Sequence, residues 1–252
     1  MPTIDSDGVT ISYVAEGAGP PVVLVHGFAS SAQGNWRAPG IIDALVGAGR
    51  RVIAPDCRGH GNSGKPHDPE AYGGTQMADD VIAVMDRERI ERADLVGYSM
   101  GGFIAASLLV RCPERFGRVI LAGVGDTLAT GGRGRRASEA IASALESETR
   151  RGINDARARA FRAFAEQQGN DMAALAAVQR STRSFDRDKL SEVRNPVLVL
   201  IGEKDALVGP ADQLATAIPG AQLVKVPGDH LTAVVKPEFA RAIVAFLSES
   251  AA

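Results

Sequence analysis

The chain predicts an α/β fold built on a mostly parallel sheet with crossover helices. Three observations carry that expectation: short runs of β-branched and other apolar residues, helical periodicity between successive runs, and one long interval where the alternation stops. Continuous apolar strands imply cover on both faces, because a strand with one wet face alternates apolar and polar residues.

Taken in order, residues 3–4 and 9–14 flank the turn Ser6-Asp7-Gly8 and predict a short antiparallel edge pair. Runs at 22–25 and 52–54 are core strands separated by a helical stretch at 41–46, with Asn35 or a polar neighbour as its expected cap. Helical stretches at 77–86 and 103–110 link further strands at 93–96 and 119–121. Strands at 197–201 and 223–226, with helices at 211–217 and 237–247, complete the pattern.

The break spans 126–188, where helical patterns at 137–148, 155–167 and 171–182 occur without a strand between them. The expected organisation is therefore a core of residues 1–125 and 189–252 carrying a helical insertion at 126–188. Arginines crowd the first half of that insertion: Arg133, Arg135, Arg136, Arg150, Arg151, Arg157, Arg159 and Arg162. A solvated helix face is the simpler explanation, and recruitment of an anion is the alternative.

With 252 residues, 45% of them apolar, the chain can bury a sizeable core as one large domain. A net charge of −2 gives no electrostatic case for nucleic acid or an anionic membrane, so a small molecule is the expected partner. The opening residues Met1-Pro2-Thr3-Ile4-Asp5 lack the basic start and apolar core of a signal peptide. No apolar run approaches the roughly 20 residues that span a bilayer, and a cytoplasmic location is expected. Two cysteines, Cys57 and Cys112, are too few for a disulfide framework and lack metal-ligand spacing.

Gly97-Tyr98-Ser99-Met100-Gly101 lies between an expected strand and an expected helix. A serine at such a corner adopts a strained backbone, and glycines two residues to either side remove side chains that would collide. The corner pushes the Ser99 hydroxyl outward and sets the Met100 N–H at a helix start, where free donors can hold a developing oxyanion. A second donor is expected from the backbone N–H of Phe28, within His26-Gly27-Phe28 after the strand at 22–25. Phe28 and Tyr98 are the expected pocket-lining side chains.

An activated serine needs a base and an acid to orient it, and loops beyond the strand ends offer both. The chain has four histidines. His26 is expected to order the oxyanion loop, His60 to bond nearby backbone, and His67 to be solvated. His230, after the last expected strand, is the candidate base. Asp205, after the strand at 197–201, is the first choice for the acid, with Glu203, Asp229 and Asp126 as competitors. Asp56 is expected to tie its own loop to Arg58. The chain order Ser99, Asp205, His230 is the one a nucleophile-elbow arrangement requires.

These residues make the chain resemble the α/β-hydrolase superfamily along nearly its whole length, in a serine hydrolase/esterase branch with a short helical cap. The likeness rests on His26-Gly27-Phe28, on Asp56-Cys57-Arg58-Gly59-His60-Gly61-Asn62-Ser63, on Gly97 to Gly101, and on Gly228-Asp229-His230. It implies an eight-stranded, mostly parallel sheet with a cap between Leu121 and Val197. It also implies catalysis by Ser99, His230 and Asp205 without metal or organic cofactor. Epoxide hydrolases and haloalkane dehalogenases resemble this pattern but carry aspartate where this chain has Ser99, which disfavours those activities. Epoxide hydrolases also use cap tyrosines, whereas Tyr13, Tyr72 and Tyr98 lie outside the expected cap. Carbon–carbon hydrolases of meta-cleavage products keep the serine but carry a longer Gly-rich oxyanion loop. The expected activity is hydrolysis of a small carboxylic ester through an acyl-enzyme. Thioester, lactone and carbon–carbon hydrolysis and perhydrolysis use the same residues, and a ligand receptor with a retained triad is the non-enzymatic alternative.

Overall fold

A turn at Asp7-Gly8, both residues at positive φ, reverses β1 (Thr3–Ser6) onto β2 (Val9–Glu16), with Ser6 opposite Val9. In the computed structural model, which describes residues 1–131, 135–182 and 186–249, six further strands follow. They are β3 (Pro21–Val25), β4 (Arg51–Pro55), β5 (Ala93–Tyr98), β6 (Phe116–Ala122), β7 (Val197–Gly202) and β8 (Gln222–Val226). The described residues form one eight-stranded sheet in the order β1-β2-β4-β3-β5-β6-β7-β8. The β1–β2 and β2–β4 pairs are antiparallel and every other pair is parallel.

That order reverses between β3 and β5, since the chain leaves β3 for β4 on one side and returns to β5 on the other. A crevice opens beyond the C-terminal ends of the strands at such a point, and it falls between the segments after Val25 and Tyr98.

Strand alternation sorts the core into two layers. Val22, Leu24, Val96, Tyr98, Ile120 and Leu198 face one side with residues of α1 (Ile41–Gly47). Val23, Val25, Leu95, Val119, Leu121 and Val199 face the other, with α2 (Gln76–Arg87) and α3 (Met100–Arg111). Each fully buried aliphatic side chain contributes about 1.5–3 kcal/mol, so these double-faced strands carry much of the stability.

Between β6 and β7 lie α4 (Asp126–Thr130), α5 (Arg135–Glu146), α6 (Ala156–Gln167) and α7 (Met172–Arg180). Asp155 and Asp171 start the last two by accepting the N–H groups of Ala158 and Ala174 at 2.8 and 2.9 Å. Arg180 bonds both Glu139 and Glu146, fastening α7 to α5. Arg162 pairs with Glu166 and donates to the carbonyls of Ala144, Leu145 and Ser147 at the end of α5. Arg150 also pairs with Glu166, and Arg159 bonds the Ile153 carbonyl. Of the eight arginines, Arg150, Arg159 and Arg162 are thus engaged within the insertion, Arg135, Arg136, Arg151 and Arg157 are exposed, and Arg133 lies outside the described residues. After β7, α8 (Asp212–Ala217) and α9 (Pro237–Ser248) return to the core, α9 on the face that Tyr98 occupies.

Two local expectations change. Asn35 does not cap α1, whose N-terminal flank is Gly40; it lies in a π-helical turn, Gln33–Arg37. Arg58 does not pair with Asp56. Its guanidinium forks onto both Asp80 oxygens at 2.7 Å, with side chains only 2% and 3% exposed, binding the loop after β4 to α2. Asp56 instead accepts from the backbone N–H groups of Ala32 and Asn62, each at 2.8 Å. Short loops with free N–H groups attract a carboxylate, and α2 supplies the guanidinium with a better partner. No helix among the described residues is long and apolar enough to cross a membrane.

Candidate active site

Ser99 stands at the junction of β5 and α3 with φ 54° and ψ −110°, a conformation that L-residues hold only when the surroundings enforce it. Its N–H bonds the Ala122 carbonyl at 2.8 Å and its own carbonyl accepts from Phe103 at 3.2 Å. The flanking glycines are steric necessities. A methyl on Gly97 would lie 2.1 Å from the Gly101 carbonyl oxygen, and one on Gly101 would lie 2.0 Å from that of Val25.

His230 arrives on the turn after β8. Asp229 shapes that turn by accepting from Thr232 Oγ1 at 2.7 Å and from the Thr232 N–H at 2.9 Å. These bonds hold the Asp229 carboxyl below its ordinary range and direct it into its own turn. The imidazole Nε2 lies 2.8 Å from Ser99 Oγ, and Nδ1 lies 2.8 Å from Asp205 Oδ2. A carboxylate beside Nδ1 makes that nitrogen the proton carrier, which leaves Nε2 to accept the serine proton. The other Asp205 oxygen receives the N–H groups of Leu207 and Val208 at 3.1 and 3.3 Å. Of the four acids considered, Asp205 meets the ring. Asp126 accepts the Leu214 N–H at 3.0 Å instead, and Glu203 is exposed.

The loop after β3 lies beside the serine, since a methyl on Gly27 would come within 3.5 Å of Ser99 Cβ. His26, wholly buried, donates from Nδ1 to the Gly27 carbonyl at 2.8 Å and accepts the Cys57 N–H at Nε2 at 2.9 Å. Only the neutral ring can do both, and burial lowers its pKa in the same direction. Asn35 Oδ1 accepts the Gly27 N–H at 2.8 Å. The peptide between Gly27 and Phe28 is planar and trans, so holding its carbonyl on His26 aims the Phe28 N–H the opposite way. Met100, as the first residue of α3, has no carbonyl one turn back within the helix for its own N–H.

A family model described as the Alpha/beta hydrolase family matches residues 22–242, from β3 into α9. The chain belongs to that family. The 2-hydroxymuconate semialdehyde hydrolase of Pseudomonas sp. (strain CF600) is 40% identical over 118 residues, 46% of this chain and 40% of that enzyme. An epoxide hydrolase of Caballeronia sordidicola is 35% identical over 113 residues, 45% of this chain and 33% of that enzyme. The matched stretch thus spans under half the length of either relative. The crystal structure of a hydrolase from Pseudomonas aeruginosa PA01 superposes with a TM-score of 0.81 at 27% identity, covering 98% of each chain.

In this alpha/beta hydrolase a cavity of about 520 Å³ opens at Ser99. Phe28, Met100, Phe103 and Ile104 line it from the core, and Phe161 and Arg180 from the insertion. Phe28 therefore sits where expected, edge-on to Phe161 with ring centroids 5.8 Å apart. Tyr98 does not line the cavity. As a β5 residue in register with Val96 it points to the opposite layer, its ring 6.5 Å from Trp36 and 5.7 Å from Phe239. There its hydroxyl donates to the His230 backbone carbonyl, and burial pushes the phenol pKa far up, keeping it a donor. His60 bonds the Arg58 carbonyl at 3.0 Å, and exposed His67 meets Asp171 at 3.0 Å. The roles of Asn35 toward the Gly27 N–H and of the Tyr98 hydroxyl toward His230 are not among those expected from the sequence; the strand alternation Val96–Tyr98 is the available signal for the latter.

Proposed function

We propose that this hydrolase cleaves carboxylic esters of small molecules through an acyl-enzyme formed on Ser99. The observation that carries the reading is the continuous chain Asp205–His230–Ser99, with both links at 2.8 Å. His230 Nε2 takes the Ser99 proton as Oγ bonds to the acyl carbon, and the N–H groups of Phe28 and Met100 receive the charge on the carbonyl oxygen. His230 then gives that proton to the departing alcohol. Water repeats the sequence: His230 removes its proton, the hydroxyl bonds to the acyl carbon, and Ser99 leaves with the proton returned. Asp205 keeps the ring in the productive tautomer and stabilises its charged form.

In this reading the insertion at 126–188 acts as a cap that bounds the substrate pocket. Met100, Phe103, Ile104 and Ser107 recur along one face of α3 within the cavity wall. At 1.5 Å rise per residue they mark a groove about 10 Å long, apolar near the serine and polar at its far end. Such a groove fits an extended acyl chain. Ser99 argues against epoxide opening, because an alkyl ether on serine has no carbonyl for water to attack.

Carbon–carbon hydrolysis is the second reading, favoured by the likeness to the semialdehyde hydrolase. Steady-state kcat/KM over p-nitrophenyl esters of increasing acyl length, set beside a vinylogous diketone, tests both. Multiple turnovers with an optimum at intermediate length support the ester reading. Faster cleavage of the diketone than of any ester replaces it with the second. Binding of esters without turnover favours a receptor.

A further inference from the structure

We propose that Asn170, on the loop between α6 and α7, is a positioning residue for the oxyanion hole, acting through two peptide planes in series. The proposal rests on the acyl-transfer reading above. Asn170 Nδ2 donates to the Ala29 carbonyl at 2.8 Å. The same peptide unit carries the Ser30 N–H, which donates to the Gly27 carbonyl at 3.2 Å. The next unit carries the Phe28 N–H, the expected oxyanion donor. A trans peptide sets its C=O and N–H antiparallel, so fixing Ala29 O directs the Ser30 N–H, and fixing Gly27 O directs the Phe28 N–H. Each bond also polarises the next, which strengthens the terminal donor.

The loop needs such support. Ala29 has φ 59°, a left-handed conformation that a residue with a Cβ keeps only under constraint. His26 and Asn35 hold Gly27 from the core, whereas Asn170 holds the second plane from the insertion. Asn170 is itself anchored, its N–H on the Ala165 carbonyl at 3.1 Å near the end of α6. Phe161, on the same helix, packs edge-on against Phe28. Seating of the insertion and alignment of the oxyanion donor are therefore one event, and the insertion contributes to transition-state stabilisation as well as to the pocket wall.

The test compares the parent enzyme with Asn170→Ala, Asn170→Asp and Asn170→Gln, with turnover divided by the number of sites that a fluorophosphonate labels at completion. Direct loss of an oxyanion donor costs about a hundredfold to a thousandfold, and loss of its support is expected to cost about tenfold in kcat. KM and the pH midpoint of kcat/KM stay unchanged, because neither the groove nor His230 is touched. The Ki of an alkyl boronic acid, whose tetrahedral adduct uses the same donors, rises in parallel with the fall in kcat/KM. Asn170→Asp, which sets an acceptor against the Ala29 carbonyl, is at least as impaired, and Asn170→Gln recovers part of the loss. Parental kcat per labelled site in Asn170→Ala, or a loss expressed in KM with boronate affinity intact, overturns the proposal. If Asn170→Ala fails to fold, Asn170→Leu, which keeps the side-chain shape and lacks a donor, carries the same comparison. Turnover surviving in Ser99→Ala would instead overturn the ester reading beneath it, whatever Asn170 does.

Discussion

Tyr98→Phe removes one oxygen and leaves the ring among Trp36, Phe239 and His230, so its consequence follows from a single hydrogen bond. The hydroxyl donates to the His230 carbonyl, and the two residues are 6% and 7% exposed, beyond easy rescue by solvent. An acceptor stranded in such a place costs about 1–3 kcal/mol. That is about 5-fold to 150-fold in the folding equilibrium, readable as a lower urea midpoint at unchanged slope. The same carbonyl anchors the backbone that carries the imidazole, so kcat falls while KM holds. Burial keeps the phenol protonated well above its ordinary range, which makes the deficit flat between pH 6 and 9. Paired urea denaturation and steady-state hydrolysis of a p-nitrophenyl ester supply the measurement. A Tyr98→Phe enzyme within about 0.5 kcal/mol of the parent and equally active would refute the reasoning.

Two further outcomes are expected. Asp205→Asn lowers kcat by about ten-thousandfold by stabilising the wrong imidazole tautomer. Asp126→Asn leaves kcat near parental, since an amide oxygen still accepts the Leu214 N–H; the reverse ranking in kinetics would move the acid to Asp126. Hydrogen bonds from Arg180 hold the Glu139 and Glu146 carboxyls below their ordinary range. A depressed folded pKa stabilises above the unfolded value, near 4.3 for glutamate, and that support is lost as pH falls through the folded values. Both carboxylates are about half exposed, so the effect is small. Pepsin should cut α5 and α7 before the core as pH drops below about 4, and Arg180→Met should show the same cutting at higher pH. Uniform cleavage of core and insertion would contradict it.

The core strands are legible because burial on both faces writes itself into continuous apolar runs, whereas the half-exposed edge pair β1 and β2 is marked by its turn, Ser6-Asp7-Gly8. Ser99 is legible through its flanking glycines, which the five-residue pattern displays even though the neighbour that Gly101 must avoid, the Val25 carbonyl, comes from β3. Asp205 stands first among four acids by its place after the strand at 197–201 and by chain order; what separates it from Asp126 in the structure is the engagement of Asp126 by α8, a contact 88 residues away. Long-range partners explain the other differences. Asp80 takes Arg58 across 22 residues, and Asn170 reaches Ala29 across 141. No periodicity announces such pairs. Tyr98 departs from expectation for a different reason: it ends a strand, and alternation sends its side chain to the layer opposite the cavity. The π-helical turn that presents Asn35 follows no propensity rule, and its one legible sign is a polar residue beside a buried tryptophan.

The central claim is that the Ser99 hydroxyl is the group that attacks. Labelling with a fluorophosphonate, followed by peptide mass spectrometry, tests it most directly. One adduct per chain is expected, on Ser99, with ester turnover falling in proportion to labelling and no adduct in Ser99→Ala or His230→Ala. An adduct on another residue that abolishes turnover, or a Ser99→Ala enzyme that still hydrolyses esters at the parental rate, would contradict it.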